Sequence, residues 1–256
     1  MPTFYYRGCD NKTIYQKGIS KKFEIVSGGD KSITHRAMIL SAMARGTSTI
    51  KNPSLSGDCL TTLAALEKLG AGIEFSTSNK TLKIKSRGVN NFGEPDGIID
   101  CENSGTSARL LMGALAGIEG KSFFFTGDAS LSKRPMQKVS EPLEKMGAKI
   151  LLRSGGNLPC AIKGSKLKAV KIDDTANSAQ VKTSLMLAAI NASGRTVIIE
   201  RFPTRNHSEL MFENFGLEIE VSQTRDGYVK ITVPGKQSVR PAVINIANDV
   251  STASFY

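Results

Sequence analysis

One motif returns three times along this chain and restricts its fold more than any other feature. Leu66-Glu67-Lys68-Leu69-Gly70-Ala71 is echoed by Leu143-Glu144-Lys145-Met146-Gly147-Ala148 and again by Met211-Phe212-Glu213-Asn214-Phe215-Gly216-Leu217. Apolar residues three apart, closed by glycine, read as the last turn of a helix and its cap. Each copy leads into alternating apolar residues, Ile73 with Phe75, Ile150 with Leu152 and Ile219 with Val221, which is the period of a half-buried strand. The preceding halves agree too: a hydroxyl-rich start opens an apolar helix that stops at Gly46, near Gly117 or Gly120, and at Gly194. Ser32 to Gly70 spans 38 residues, and so does Ser178 to Gly216. The chain is therefore expected to hold three copies of a helix, strand, helix, hairpin unit, about 70 to 77 residues apart. If each first helix buries a stripe against shared sheets, the three lie parallel and their N-termini converge.

What stands at those three starts bears on function. The first is Gly28-Gly29-Asp30-Lys31-Ser32-Ile33-Thr34-His35-Arg36, a glycine-rich turn that enters the apolar run Ala37 to Met43. It is not a P-loop, because no glycine directly precedes Lys31 and the required spacing is absent. The second is Asn103-Ser104-Gly105-Thr106-Ser107-Ala108-Arg109, and the third is Asn177-Ser178-Ala179-Gln180-Val181-Lys182. Each joins hydroxyl or amide groups to a basic residue, and helix N-termini present free N–H donors at a positive dipole end. A cation there is unfavourable by about a few tenths of a kcal/mol unless an anion compensates it. Three such placements point to an anion.

Two connecting loops add further cations. Gly127-Asp128-Ala129-Ser130-Leu131-Ser132-Lys133-Arg134-Pro135-Met136 precedes the second helix of the middle unit, with Pro135 suited to its first helical position. Arg201-Phe202-Pro203-Thr204-Arg205-Asn206-His207 is the matching loop of the third unit. Thr106, Arg109 and Lys182 read as capping or solvated residues, His35 and His207 as packing or loop histidines, and Asp30 as a support for its turn. Residues 1–27 read as one or two strands, with Lys22 to Val26 alternating, and Asp249 to Tyr256 as a cap followed by a helix start.

Charge and composition narrow the partners. Thirty-four Lys and Arg against 23 Asp and Glu give +11, which favours acidic partners. The basic residues are dispersed, in no run longer than two, and with eleven Phe, five Tyr and no Trp a base-stacking nucleic-acid surface is disfavoured. A small anionic substrate fits better than a polyanion. Cys9, Cys59, Cys101 and Cys160 form no C-x-x-C pair and only two histidines are present, so neither a zinc site nor redox chemistry is indicated. The cysteines are read as reduced residues of a cytoplasmic protein, with no secretion signal and no membrane span.

At Gly29 to Arg36, Asn103-Ser104-Gly105-Thr106, Gly127 to Met136 and Ser178-Ala179-Gln180, the sequence resembles the 5-enolpyruvylshikimate-3-phosphate synthase family, the 3-phosphoshikimate 1-carboxyvinyltransferases, along essentially its whole length. The related enolpyruvyltransferase acting on UDP-N-acetylglucosamine opens with an Ala-Lys-Asn pattern instead of Asp30-Lys31-Ser32. The resemblance implies an inverse α/β fold built from three repeated helix-strand-helix-hairpin units. It implies a domain division at 29–246, with 1–28 and 247–256 belonging to another, mostly missing domain that carries the family's acidic catalytic residues. A chain of this kind is expected to have little turnover alone. The implied reaction transfers the enolpyruvyl group of phosphoenolpyruvate to the 5-hydroxyl of shikimate 3-phosphate, without metal or organic cofactor, in a monomer that uses neither nucleic acid nor membrane.

By motif, Lys31 resembles the lysine that contacts both substrates and stabilises the anionic transition state. Ser32, Arg36, Ser178, Ala179, Gln180 and Arg205 resemble shikimate 3-phosphate ligands, with Ala179 contributing through backbone. Gly105 and Arg134, together with Lys31 and Gln180, resemble the phosphoenolpyruvate pocket. The competing readings are a noncatalytic anion- or nucleic-acid-binding module and an enolpyruvyltransferase with another acceptor.

Overall fold

A computed structural model describes residues 4–5, 13–16, 23–24, 28–173 and 177–249. Three short strands, β1 (Phe4–Tyr5), β2 (Thr13–Gln16) and β3 (Phe23–Glu24), pair antiparallel in the order β1-β2-β3. That is more than the one or two strands expected for this region. The first unit follows with α1 (Lys31–Met43), β4 (Arg45–Lys51), α2 (Gly57–Lys68), β5 (Gly72–Ser76) and β6 (Thr81–Arg87). The second comprises β7 (Ile99–Asp100), α3 (Gly105–Ala116), β8 (Ser122–Thr126), α4 (Gln137–Lys145), β9 (Lys149–Arg153) and β10 (Asn157–Lys163). The third comprises β11 (Lys171–Asp173), α5 (Ala179–Asn191), β12 (Arg195–Glu200), α6 (His207–Asn214), β13 (Glu220–Gln223) and β14 (Val229–Pro234), and β15 (Val243–Asn245) comes last. The first helices start at Lys31, Gly105 and Ala179, even intervals of 74 residues.

Three sheets of identical design result, ordered β15-β4-β6-β5, β7-β8-β10-β9 and β11-β12-β14-β13. In each, the first pair is parallel and the others antiparallel. The expected unit thus gains a leading parallel strand, of two or three residues, too short to display a period. In the first sheet that place is filled by β15 from the far end of the chain, Val243 opposite Thr49. Beside it, Asp30 N–H donates to Ala247 O (2.7 Å) and Asp249 N–H to Gly28 O (2.9 Å). The helix start expected over 250–256 lies outside the described residues.

Two smaller boundaries also shift. The first helix ends at Met43, and Arg45-Gly46, expected to terminate it, already belong to β4. Helix α4 begins at Gln137, not at Pro135: Met136 is its cap, with its carbonyl accepting the Ser140 N–H (3.0 Å), and Leu131–Lys133 forms a separate 3-10 turn.

The sheets turn alternate residues inward: Leu82 and Ile84, Phe123 and Phe125 are buried, while Phe124 and Leu151 face out across Ala161. This is the two-residue pleat of a sheet covered on one face. In β14 the whole run Ile231 to Val233 is buried. The first helices behave differently from the expected stripe. Residues 34–43 of α1 and 181–190 of α5 are buried without a break, so these helices have no solvent face. They form the centre against which the sheets and outer helices pack. Cys59, Cys101 and Cys160 are buried free thiols, and burial raises the last two to about 12.

Glycines permit the closest approaches. A Cβ at Gly113 of α3 would lie 2.0 Å from the Ser184 carbonyl oxygen of α5. Behind each of the last two hairpins the chain meets the end of its own first helix equally tightly, Gly164 against Ile118 O (1.7 Å) and Gly235 against Ala192 O (1.8 Å). A glycine inside a helix ordinarily costs about 1 kcal/mol relative to alanine, so helix propensity alone favours alanine at 113. Here the sign reverses: Gly113→Ala is expected to lower stability by roughly 1–3 kcal/mol through overpacking, measured as a drop in the urea midpoint.

Candidate anion-binding site

Side-chain caps fix the three helix starts. The Asp30 carboxylate accepts from Ile33 N–H (2.8 Å), Ser104 Oγ from Ser107 N–H (3.2 Å) and Ser178 Oγ from Val181 N–H (3.4 Å). Asp30 therefore supports its turn as expected, and Ser178 keeps its own O–H for a ligand. Helix α3 packs against both α1 and α5, and Arg36 of α1 reaches Thr183 of α5 (2.8 Å), so these starts share one end of the domain. A cavity of about 510 Å³ opens there. Ser32 and Arg36 of α1, Thr106 of α3, Asn177 to Gln180 at the start of α5, and Pro203, Thr204, Arg205 and His207 line it. Six of the expected site residues, Ser32, Arg36, Ser178, Ala179, Gln180 and Arg205, thus meet in one place.

Arg36 is its electrostatic centre. It is 4% exposed, and its guanidinium donates from Nε to Ser208 Oγ (2.8 Å), from Nη1 to Ser32 O (2.8 Å) and from Nη2 to Thr183 Oγ1 (2.8 Å). Among the described residues, neither Arg36 nor Arg205 has a carboxylate within 4.0 Å. Burial lowers the Arg36 pKa to about 10, opposed by the more distant Glu209 and Asp30. At neutral pH the group is a buried cation held by neutral acceptors, an arrangement completed by an incoming anion.

A second cationic corner adjoins the first. Gln180 bridges the helices, accepting at Oε1 from Arg109 Nη1 (2.8 Å) and donating from Nε2 to Thr106 Oγ1 (2.9 Å). A Cβ at Gly105 would lie 2.7 Å from Arg109 Nη1 and 3.3 Å from Arg134 Nη1, so both guanidinium groups close over this glycine. Arg134 is steadied by Asn103 Oδ1 and by Ser130 Oγ (3.3 Å). Burial, then the charge of Arg134, pushes the Arg109 pKa down. Two like charges in partial burial again call for an anion.

Lys31 stands apart. It is not among the cavity-lining residues, and its ammonium pairs with Asp58 of α2 at 2.8 Å on a partly exposed surface. Such pairs contribute about 0–1 kcal/mol and are readily exchanged. Three residues read as capping or solvated take other parts. Thr106 lines the cavity and Arg109 holds Gln180. Lys182 is the clearest correction: it is fully buried, paired to Glu200 (3.0 Å) and Glu209 (2.7 Å). The available signal was its position inside a helix without a polar face. His207 lines the cavity, whereas His35 is a packing histidine as expected.

His35 belongs to a buried relay that joins three helices. Its Nδ1 meets Thr62 Oγ1 (2.7 Å), Thr62 meets Ser107 Oγ (2.6 Å), and Ser107 donates to the cap Ser104 (2.7 Å). Burial lowers the His35 pKa from 6.5 to about 4, against the pull of Asp58. The unfolded chain then binds a proton that the folded one refuses, so stability falls as pH drops from 6.5 toward 4, by roughly 3 kcal/mol from this residue. Thermal unfolding at pH 7 and pH 4.5 should show a smaller acid loss for His35→Gln than for the unaltered chain.

The model of the family EPSP synthase (3-phosphoshikimate 1-carboxyvinyltransferase) matches residues 17–256. The chain is 44% identical over 230 residues to the 3-phosphoshikimate 1-carboxyvinyltransferase of Sulfurihydrogenibium sp. (strain YO3AOP1), covering 89% of this chain and 52% of that one. It is 39% identical over 236 residues to the Bacillus subtilis (strain 168) protein of the same name, covering 91% and 53%. Among solved structures, EPSP synthase from Acinetobacter baumannii superposes with a TM-score of 0.83 at 36% identity, over 90% of this chain and 51% of that one. The chain spans about half the length of the curated relatives it matches.

Proposed function

The chain belongs to the EPSP synthase family, and we propose that its 29–246 unit is the shikimate 3-phosphate-binding domain of a 3-phosphoshikimate 1-carboxyvinyltransferase. One observation carries this reading: Arg36 and Arg205, two guanidinium groups with no carboxylate partner among the described residues, line one cavity at the adjoining helix starts. A ligand with separate anionic groups answers that pair. Ser32 and Arg36 serve one end of it, and Arg205, the Ser178 hydroxyl and the first-turn N–H groups at Ala179 and Gln180 serve its phosphate.

Phosphoenolpyruvate is assigned to the adjoining corner at Gly105, with Arg134 and Gln180 holding its charges. Lys31 joins it by exchanging Asp58 for ligand. In the reaction the 5-hydroxyl gives up its proton as its oxygen bonds to C2 of phosphoenolpyruvate, while the C=C π pair takes a proton at the methylene carbon. The C–O bond to phosphate then breaks and a proton is lost, leaving the enol ether. The residues named here position both substrates and offset their charge, which lowers the barrier by alignment and by fixed cations.

Differential scanning of the chain should show a saturable rise in melting temperature with shikimate 3-phosphate, and none with an oligonucleotide or with UDP-N-acetylglucosamine. Arg36→Met is expected to weaken shikimate 3-phosphate by about 2–3 kcal/mol, the worth of a hydrogen bond between charged groups. A steeply salt-dependent shift with oligonucleotide alone supports the nucleic-acid module instead. A shift with the UDP-sugar alone moves the acceptor class.

A further inference from the structure

Beneath the cavity floor, Lys182 of α5 spends all three ammonium hydrogens inside the protein. Nζ donates to Glu200 Oε2 (3.0 Å), to Glu209 Oε1 (2.7 Å) and to the backbone carbonyl of Arg205 (3.1 Å). Glu200 is the last residue of β12, and Glu209 lies in the first turn of α6. The ammonium therefore gathers the residues that flank the 201–206 connector, and Arg205 within it. Thr204 adds a fourth tie, donating its hydroxyl to Glu200 Oε1 (2.6 Å). The three charged side chains are 0%, 1% and 9% exposed.

Stability is a poor reason for such a cluster. Desolvating three charges is expensive, and replacing buried ions by neutral groups of similar volume is often harmless or stabilising. What the cluster delivers is a place for the connector. Pro203, Thr204 and Arg205 face the cavity, and the carbonyl gripped by Lys182 belongs to the very residue whose guanidinium has no carboxylate partner among the described residues. Next to it, Ser208 is held by Arg36 Nε (2.8 Å) and meets Thr183 Oγ1 (2.5 Å), so the start of α6 is pinned from two sides.

We propose that Lys182, Glu200 and Glu209 act as a buried ionic latch that holds Arg205 in register for the phosphate of the ligand, with Lys182 a positioning residue that never touches it. The inference rests on the shikimate 3-phosphate reading above, and the test keeps the two apart. Titrations of the 256-residue chain with shikimate 3-phosphate and with shikimate, which lacks the phosphate, compare the unaltered chain, Lys182→Met, Arg205→Ala and the double variant. The expected result is that Lys182→Met weakens shikimate 3-phosphate about tenfold, leaves shikimate unchanged, and costs nothing further once Arg205 is alanine. A merely structural lysine would weaken both ligands alike and add fully to Arg205→Ala, which overturns the latch. Absence of shikimate 3-phosphate binding by the unaltered chain overturns the functional reading and the latch with it. If Lys182→Met alone does not fold, Lys182→Met/Glu200→Gln/Glu209→Gln leaves no unpaired buried charge and removes the same grip on Arg205, with the same outcomes deciding.

Discussion

Packing of helix α3 between α1 and α5 governs everything else in this molecule. Helix α3 meets α5 so closely that Gly113 has no room for a side chain against the Ser184 carbonyl, and residues 34–43 and 181–190 are buried on all sides. Contacts near their starts, Arg36 of α1 to Thr183 of α5 and Arg109 of α3 to Gln180 of α5, bring the N-terminal ends of the three helices together. The sheets then supply apolar cover, each by its inward row, and the outer helices α2, α4 and α6 fill the remaining spaces. The site is thus a by-product of the core: dipole ends, first-turn N–H groups and the side chains of Ser32, Thr106 and Gln180 gather at one rim.

Such a rim accumulates positive potential, and the molecule handles it without neutralising it. Arg36 is wrapped in hydroxyl and carbonyl oxygens instead of a carboxylate, and Arg109 leans on the amide oxygen of Gln180. Neutral acceptors orient a guanidinium while leaving its charge uncompensated. The carboxylates that are buried, Glu200 and Glu209, are reserved for Lys182 below the cavity floor. Among the described residues, the cations with acidic partners are thus kept apart from the guanidinium groups that line the cavity.

Much of this was legible in the residues. The threefold recurrence of a glycine-closed helix end, at Gly70, Gly147 and Gly216, disclosed the repeat, because a helix that must stop before a tight hairpin needs a residue free to take positive φ. Ser32, Arg36, Ser178, Ala179, Gln180 and Arg205, singled out by helix starts and family motifs, line one cavity. The leading strands β7, β11 and β15 were not visible, since two or three residues cannot carry an alternation. Lys182 was misread because a single lysine among apolar residues looks the same whether it reaches water or a buried carboxylate. Only tertiary structure brings Glu200 and Glu209, eighteen and twenty-seven residues away, to its ammonium.

The borrowed edge strand of the first sheet has a consequence for how the chain is made. The second and third sheets draw their strands from contiguous stretches, whereas β4, formed near the beginning, waits for Val243 to Asn245. On a ribosome working from the N-terminus, the first of these three units is accordingly sealed after the other two, and until then its parallel edge lacks its partner strand.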